Sequence, residues 1–164
     1  MNTRKQRTHI RIVLACFITL LVLSGLTAFP LEWEIRVMQN WRNYLPDVLH
    51  AWYDRISEGI VVTNARYPFM AYGTDWLAFS HIIIALFFLA PFKDPVKYSL
   101  LIDIGILACG LVLPLAFICG PVRGIPFFWS LIDSSFGIIG AAVLYYIRIQ
   151  IKKMEKQTNK LLLT

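Results

Sequence analysis

Apolar residues run almost unbroken through four stretches, 12–29, 75–92, 96–118 and 126–148, with the polar residues gathered between and outside them. Runs of this length suit a helix that crosses a hydrocarbon core: at about 1.5 Å per residue the first reaches roughly 27 Å. It is broken only by Cys16, Thr19, Ser24, Gly25 and Thr27, and it stops at Pro30. The second starts behind Thr74, expected as its N-cap, with Asp75 in the first turn where the helix dipole favours a carboxylate. It ends at Pro91, and a short loop, 93–97, leads into the third, which carries Asp103 and Pro114. A turn bracketed by Pro121 and Pro126 follows, with Pro126 expected at the first position of the fourth helix. That helix runs to Arg148 and on into a polar tail with Lys152, Lys153, Lys156 and Lys160.

Between the first two runs the pattern changes. Trp33, Val37, Trp41, Tyr44 and Leu45 recur at helical spacing, opposite Glu32, Arg36, Asn40 and Asn43. Beyond Pro46, Val48, Leu49, Trp52, Tyr53 and Ile56 form a second stripe, which Gly59 is expected to end; residues 64–73 read as an irregular connection. Two amphipathic helices lying on a membrane surface fit this pattern, and so does a two-helix loop packed on the spans. The expected fold is therefore an all-α membrane protein, one integral domain over 1–164. It is a four-transmembrane-helix bundle with two amphipathic helices in the outer segment between helices 1 and 2.

Composition agrees. Hydrophobic residues make up 57% and charged residues 16%, against roughly half and a quarter in soluble domains; the mean hydropathy is +0.60. Residues 1–28 also invite comparison with a secretory signal. Leu26, Thr27 and Ala28 make a poor cleavage site, and the apolar run exceeds the usual signal length, so a retained span is the favoured reading.

The charge of +6 does not point to nucleic acid, because the basic residues cluster at the chain ends and in one short loop. With the N-terminus in the cytoplasm, 11 of the 16 Lys and Arg fall on the inner side, close to span ends where the bias sets orientation. All five tryptophans fall on the outer side or its interface, while Tyr98, Tyr145 and Tyr146 mark the inner one. Both termini are expected inside. Cys16, Cys109 and Cys119 are odd in number and lack a C-x-x-C pair, so neither a disulfide framework nor a zinc site is expected.

Few residues carry candidate chemistry. His81 and Asp133 each lie seven residues beyond the expected start of an inward-running helix, hence about 10 Å deep. Equal depth makes them a candidate pair, with Ser80, Ser134 and Ser135 beside them. Asp133 shares a helix face with Gly137, Gly140 and Ala141, where another helix can approach closely. Above them Arg123 stands near two helix N-termini, an arrangement suited to an anionic headgroup, and an Arg123–Asp75 salt bridge is the favoured alternative. Asp75, His81, Arg123 and Asp133 thus form a candidate outward-facing polar pocket, set against a plain packing role. Asp103, about 10 Å from the opposite end of its span, is a candidate inner polar site with Thr19 as donor. His9, His50 and His81 are too scattered for a haem or zinc site, and no catalytic motif is present.

Residues 67–81, from Tyr67-Pro68 to Ser80-His81, together with 120–133, resemble a family of small uncharacterised bacterial multi-pass membrane proteins. The resemblance covers the C-terminal two-thirds of the chain. It implies an inner-membrane location and brings no activity, substrate or cofactor. The leading expectation is an accessory or scaffold protein of the membrane, without enzymatic activity or cofactor. A small proton-coupled transporter is the alternative, and an intramembrane enzyme stands behind both. Membrane lipids, a membrane-protein partner or a second copy of the chain are the expected partners, and nucleic acid is not.

Overall fold

The computed structural model describes residues 3–162. The helices are α1 (Thr3–Thr27), α2 (Leu31–Gln39), α3 (Asp47–Arg66), α4 (Ala71–Phe87), α5 (Leu89–Lys93), α6 (Ser99–Val122) and α7 (Phe127–Leu162). Short 3₁₀ turns stand at Arg42–Tyr44 and Pro68–Met70, and no strand occurs among the described residues. Four stretches are long and apolar enough to cross a membrane: Arg4–Thr27, Pro68–Lys93, Ser99–Val122 and Phe127–Gln157. The chain has the organisation of a multi-pass membrane protein.

Prolines, more than glycines, set the helix ends. Contrary to the sequence expectation, α3 passes through Gly59. An interior glycine costs about 1 kcal/mol relative to alanine, and the half-buried Ile56, Ile60 and Thr63 carry the packed face past it. The stop comes at Tyr67 (φ −138°), which Pro68 forces out of helical geometry. Pro68 then opens the next turn, so residues 68–73 are helical where an irregular connection was expected. Thr74 is no N-cap: it sits inside α4 and its hydroxyl donates to the Ala71 carbonyl at 2.6 Å. Pro91 lacks the N–H that would reach the Phe87 carbonyl, and its ring crowds that oxygen. The second span accordingly breaks into α4 and α5 at Phe88, whose N–H turns back to Ala85 at 3.2 Å.

The turn after α6 is tighter than its two prolines implied. Pro121 lies within the last turn of α6. The helix closes when Gly124 adopts φ +70°, with the Ile125 N–H reaching the Gly120 carbonyl at 2.9 Å and the Gly124 N–H reaching Pro121 at 3.1 Å. This is the left-handed glycine cap, and any side chain at 124 would strain it. Pro126 stands one place ahead of α7 and accepts from the Trp129 N–H at 2.9 Å.

The chain divides into two compact units, Met1–Leu20 with Ala85–Thr164, and Leu21–Ile84. In the first, α6 and α7 run antiparallel along small residues. A Cβ placed on Gly137 would come within 2.6 Å of the Cys109 carbonyl oxygen, one on Gly120 within 2.6 Å of Ser130 Oγ, and one on Gly105 within 2.8 Å of Leu144 Cδ1. Close backbone approach of this kind is how apolar helices associate when no hydrophobic difference separates partner from surroundings. The opposite face of α6 (Leu100, Ile104, Leu107, Leu111, Leu115 and Ile118) is fully apolar and exposed. Ile10, Leu14, Ile102, Leu144, Ile147 and Ile151 form this unit's buried core.

In the second unit α2 and α3 form a helical hairpin in which the buried Tyr53 donates its hydroxyl to the Ile35 carbonyl at 2.8 Å. The end of α1 meets α4 at Gly25, where a Cβ would approach the Ala78 carbonyl oxygen to 2.7 Å.

The α6–α7 seam yields a test. Gly137→Ala should cost about 1–3 kcal/mol through overpacking and lower the melting temperature in detergent. Gly110→Ala, whose Cβ would meet nothing within 4 Å, should not lower that temperature and should raise it slightly through the better helix propensity of alanine. Equal melting temperatures for the two variants would contradict the seam.

Candidate functional site

The densest polar arrangement lies in the first unit, where the start of α1, the end of α5, the start of α6 and the second half of α7 come together. Arg11 donates from Nε to the Phe92 carbonyl at 3.0 Å and from a terminal nitrogen to the Lys93 carbonyl at 2.9 Å. Arg7 adds a donor to the same Lys93 carbonyl at 3.1 Å and lies 3.9 Å from Asp94. The guanidinium forks thus take up carbonyls at the C-terminus of α5, which no helical N–H reaches. Positive charge also suits that end of a helix dipole. Asp94 in turn accepts from the Lys97 backbone N–H at 3.2 Å.

Beside this, Arg148 of α7 donates to Asp103 of α6 at 2.8 Å and stands 3.9 Å from Glu155. Gln6 meets Gln150 at 3.5 Å, and His9 Nε2 meets the Tyr146 hydroxyl at 2.9 Å. Asp103 therefore takes Arg148 as its partner where Thr19 was expected, and Thr19 is exposed on α1. In the sequence Arg148 stands out only as an orienting charge at the end of an apolar run. The cue was available: Asp103 lies near the start of one apolar run and Arg148 at the end of the next.

The residues expected near the outer surface are divided between the units, Asp75 and His81 in the second, Arg123 and Asp133 in the first. Asp75 is half-buried in α4. The His81 ring donates from Nδ1 to the Leu77 carbonyl at 2.9 Å, leaving Nε2 as the free nitrogen. Its Cβ would lie 3.1 Å from a Cβ on Gly25, so its stem sits on the α1–α4 contact. Arg123 is the exposed C-cap of α6, and Asp133 is exposed on α7. Ser80, Ser134 and Ser135 each turn their hydroxyls back to a carbonyl of their own helix, at 2.7, 2.7 and 2.6 Å. That is how a serine satisfies itself inside an apolar helix. Among the described residues, no three His, Cys, Asp or Glu side chains converge as metal ligands.

A second polar set, missed in the sequence, fastens the α2–α3 hairpin. Arg42 grips Asp54 with two bonds, 2.8 and 2.6 Å, and the His50 ring bonds the Arg42 carbonyl at 3.0 Å. Glu32 pairs with Arg36 and accepts from Asn64 at 3.2 Å. The hydrogen bond from Arg42 holds the Asp54 carboxyl below its usual range, and the bond from Arg36 does the same for Glu32. Twelve positions separate Arg42 from Asp54, a spacing without a local helical rule to flag it.

Two outcomes are expected. A double-mutant cycle with Asp103→Asn and Arg148→Gln should give a coupling of about 1 kcal/mol, the upper end for a pair this open to its surroundings; additive effects would mean that the bond is idle. For Asp54, the lowered folded pKa means its contribution is fully present above the ordinary carboxylate value of about 3.9. It is lost as pH falls through the lower folded value. The protection of residues 42–54 against hydrogen exchange, taken relative to the unfolded chain at the same pH, should hold down to about pH 4 and fall below it, whereas Asp54→Asn should be less protected at neutral pH and lose the acid step.

Comparison of the chain with protein-family models, with curated proteins and with solved structures finds no match.

Proposed function

We propose that this chain is an integral membrane protein of the bacterial inner membrane, with both termini cytoplasmic and the α2–α3 hairpin outside. Its role is that of an accessory or scaffold protein. The observation that carries the reading is where its charged side chains are spent. Arg7 and Arg11 close a helix end, Arg148 and Asp103 tie two helices together, and Arg42 and Asp54 fasten the hairpin. Such groups hold architecture, while the apolar stripe of α6 remains open to a membrane neighbour. The basic end supports a cytoplasmic placement by the positive-inside rule. Exposed Trp33, Trp41, Tyr44, Trp76 and Tyr72 support a second, outer interface.

Function and topology are tested together. After replacement of the native cysteines, a cysteine at Arg55 should react with an impermeant thiol reagent in intact cells, and one at Lys156 only in inverted vesicles. The same side for both would contradict the topology. Photo-crosslinkers on the α6 stripe should trap a discrete adduct in native membranes. In liposomes under a pH gradient, proton leak should match protein-free controls. A flux abolished by Asp103→Asn would instead establish the transporter.

A further inference from the structure

In the second unit, the two apolar stripes of the hairpin meet different fates. On α3 the stripe is spent inside: Tyr53 is buried, and Leu49, Trp52 and Ile56 are half-buried. On α2 it is left open. That helix packs through the buried Ile35, which at ~100° per residue lies about 160° round the helix from Val37. Trp33, Val37, Trp41 and Tyr44 stay exposed, at 64%, 37%, 63% and 81%. The chain also ties this hairpin to candidate spans at both feet. Residues 28–30 alone separate it from α1, and Tyr67 alone separates it from Pro68, where the second candidate span opens.

We propose that α2 is an in-plane membrane anchor, with Trp33, Val37 and Trp41 sunk into the headgroup region of the leaflet from which α1 emerges. A hairpin with both feet at the surface can stand or lie. Standing, it would carry Trp41 about 15 Å from Leu31 along the helix, leaving that ring and Tyr44 in water. Lying, it brings the whole stripe to one level of the bilayer. Tryptophan and tyrosine suit that level, since each joins an apolar ring body to a polar edge. Lipid is favoured over a second protein because the span ends already place it beside the stripe. Glu32 and Glu34 balance Arg36 and Arg42 over residues 31–45, so the anchor is apolar and does not depend on anionic lipid. The inference rests on the membrane placement proposed above and goes further, because an outer hairpin could equally stand clear of the bilayer.

The test uses the full cysteine-free chain in phosphatidylcholine nanodiscs, with one nitroxide at a time on Val37→Cys, Gln39→Cys or Leu111→Cys. Electron paramagnetic resonance then reads collisions with oxygen, which concentrates in hydrocarbon, and with a nickel chelate, which stays in water. At residue 37 oxygen should win, at a depth of about 5–10 Å below the headgroup boundary. At the exposed Gln39, about 160° round the helix, nickel should win. Trp33→Ala with Trp41→Ala should turn residue 37 over to nickel. Three results would overturn the anchor. Nickel winning at both 37 and 39 would mean a hairpin standing in water, and neither reagent reaching residue 37 would mean a stripe covered by protein. Oxygen still winning at residue 37 without the two tryptophans would mean that they do not hold it. Residue 111, on the exposed stripe of α6, checks the placement itself: nickel winning there would overturn the membrane reading, and the anchor with it.

Discussion

A helix that ends among apolar groups leaves carbonyl oxygens with no partner, and each one kept from water costs free energy on the scale of a lost hydrogen bond. Pro95 creates that problem: the residue before it, Asp94, is held extended (φ −139°, ψ 94°), and α5 ends at Lys93. Arg7 and Arg11 resolve it from another helix. They are four residues apart on α1, hence on one face, and together they reach the Phe92 and Lys93 carbonyls. A lysine would offer a single point of contact, whereas the arginine fork reaches two acceptors at once. The start of α1 is thereby held against α5, and the same stretch meets α7 through Gln6–Gln150 and His9–Tyr146. Ile10 and Leu14 are fully buried here, as are Leu144, Ile147 and Ile151.

Two modes of cohesion follow. Along α6 and α7 the contact depends on absent side chains, since glycines at 105, 120 and 137 let backbone and small groups come together. At the basic end it depends on donors supplied to carbonyls and carboxylates. On the membrane reading the first mode belongs to the hydrocarbon, where small residues allow dispersion contacts. The second belongs to the interface, where charged groups keep some access to water. The long α7 joins them: it begins beside the glycine cap at Gly124 and carries Arg148 and the buried Ile151 and Met154 at its far half.

The long apolar runs were legible as helices because 3.6-residue geometry asks only for length and hydrophobicity, and four candidate spans overlap those runs, the second starting earlier and the fourth ending later than the runs themselves. Their ends were less legible. Gly59 looked like a stop, yet a glycine only lowers helix stability, whereas Pro68 acts on the residue before it whatever the context. Thr74 had the chemistry of a cap, but Pro68 had already begun the helix upstream. The polar contacts were least legible. Asp103 was singled out, while its partner Arg148 is 45 positions away and was absorbed into a charge count. Arg7 and Arg11 were counted in the same way, because a backbone carbonyl left open by a distant proline leaves no mark on the residue that will satisfy it. His81 stands out in the sequence for its depth; Gly25, which it meets on α1, carries no side chain to announce the contact.

The central claim is that Arg7 and Arg11 hold the start of α1 in place and so bring it onto α7. In a cysteine-free background, Gln6→Cys with Gln150→Cys should be bridged efficiently in membranes by a short bifunctional thiol reagent, given the 3.5 Å between their amides. Adding Arg7→Gln and Arg11→Gln should abolish most of that bridging while the chain stays in the membrane fraction. Undiminished bridging after both arginines are removed would contradict the claim.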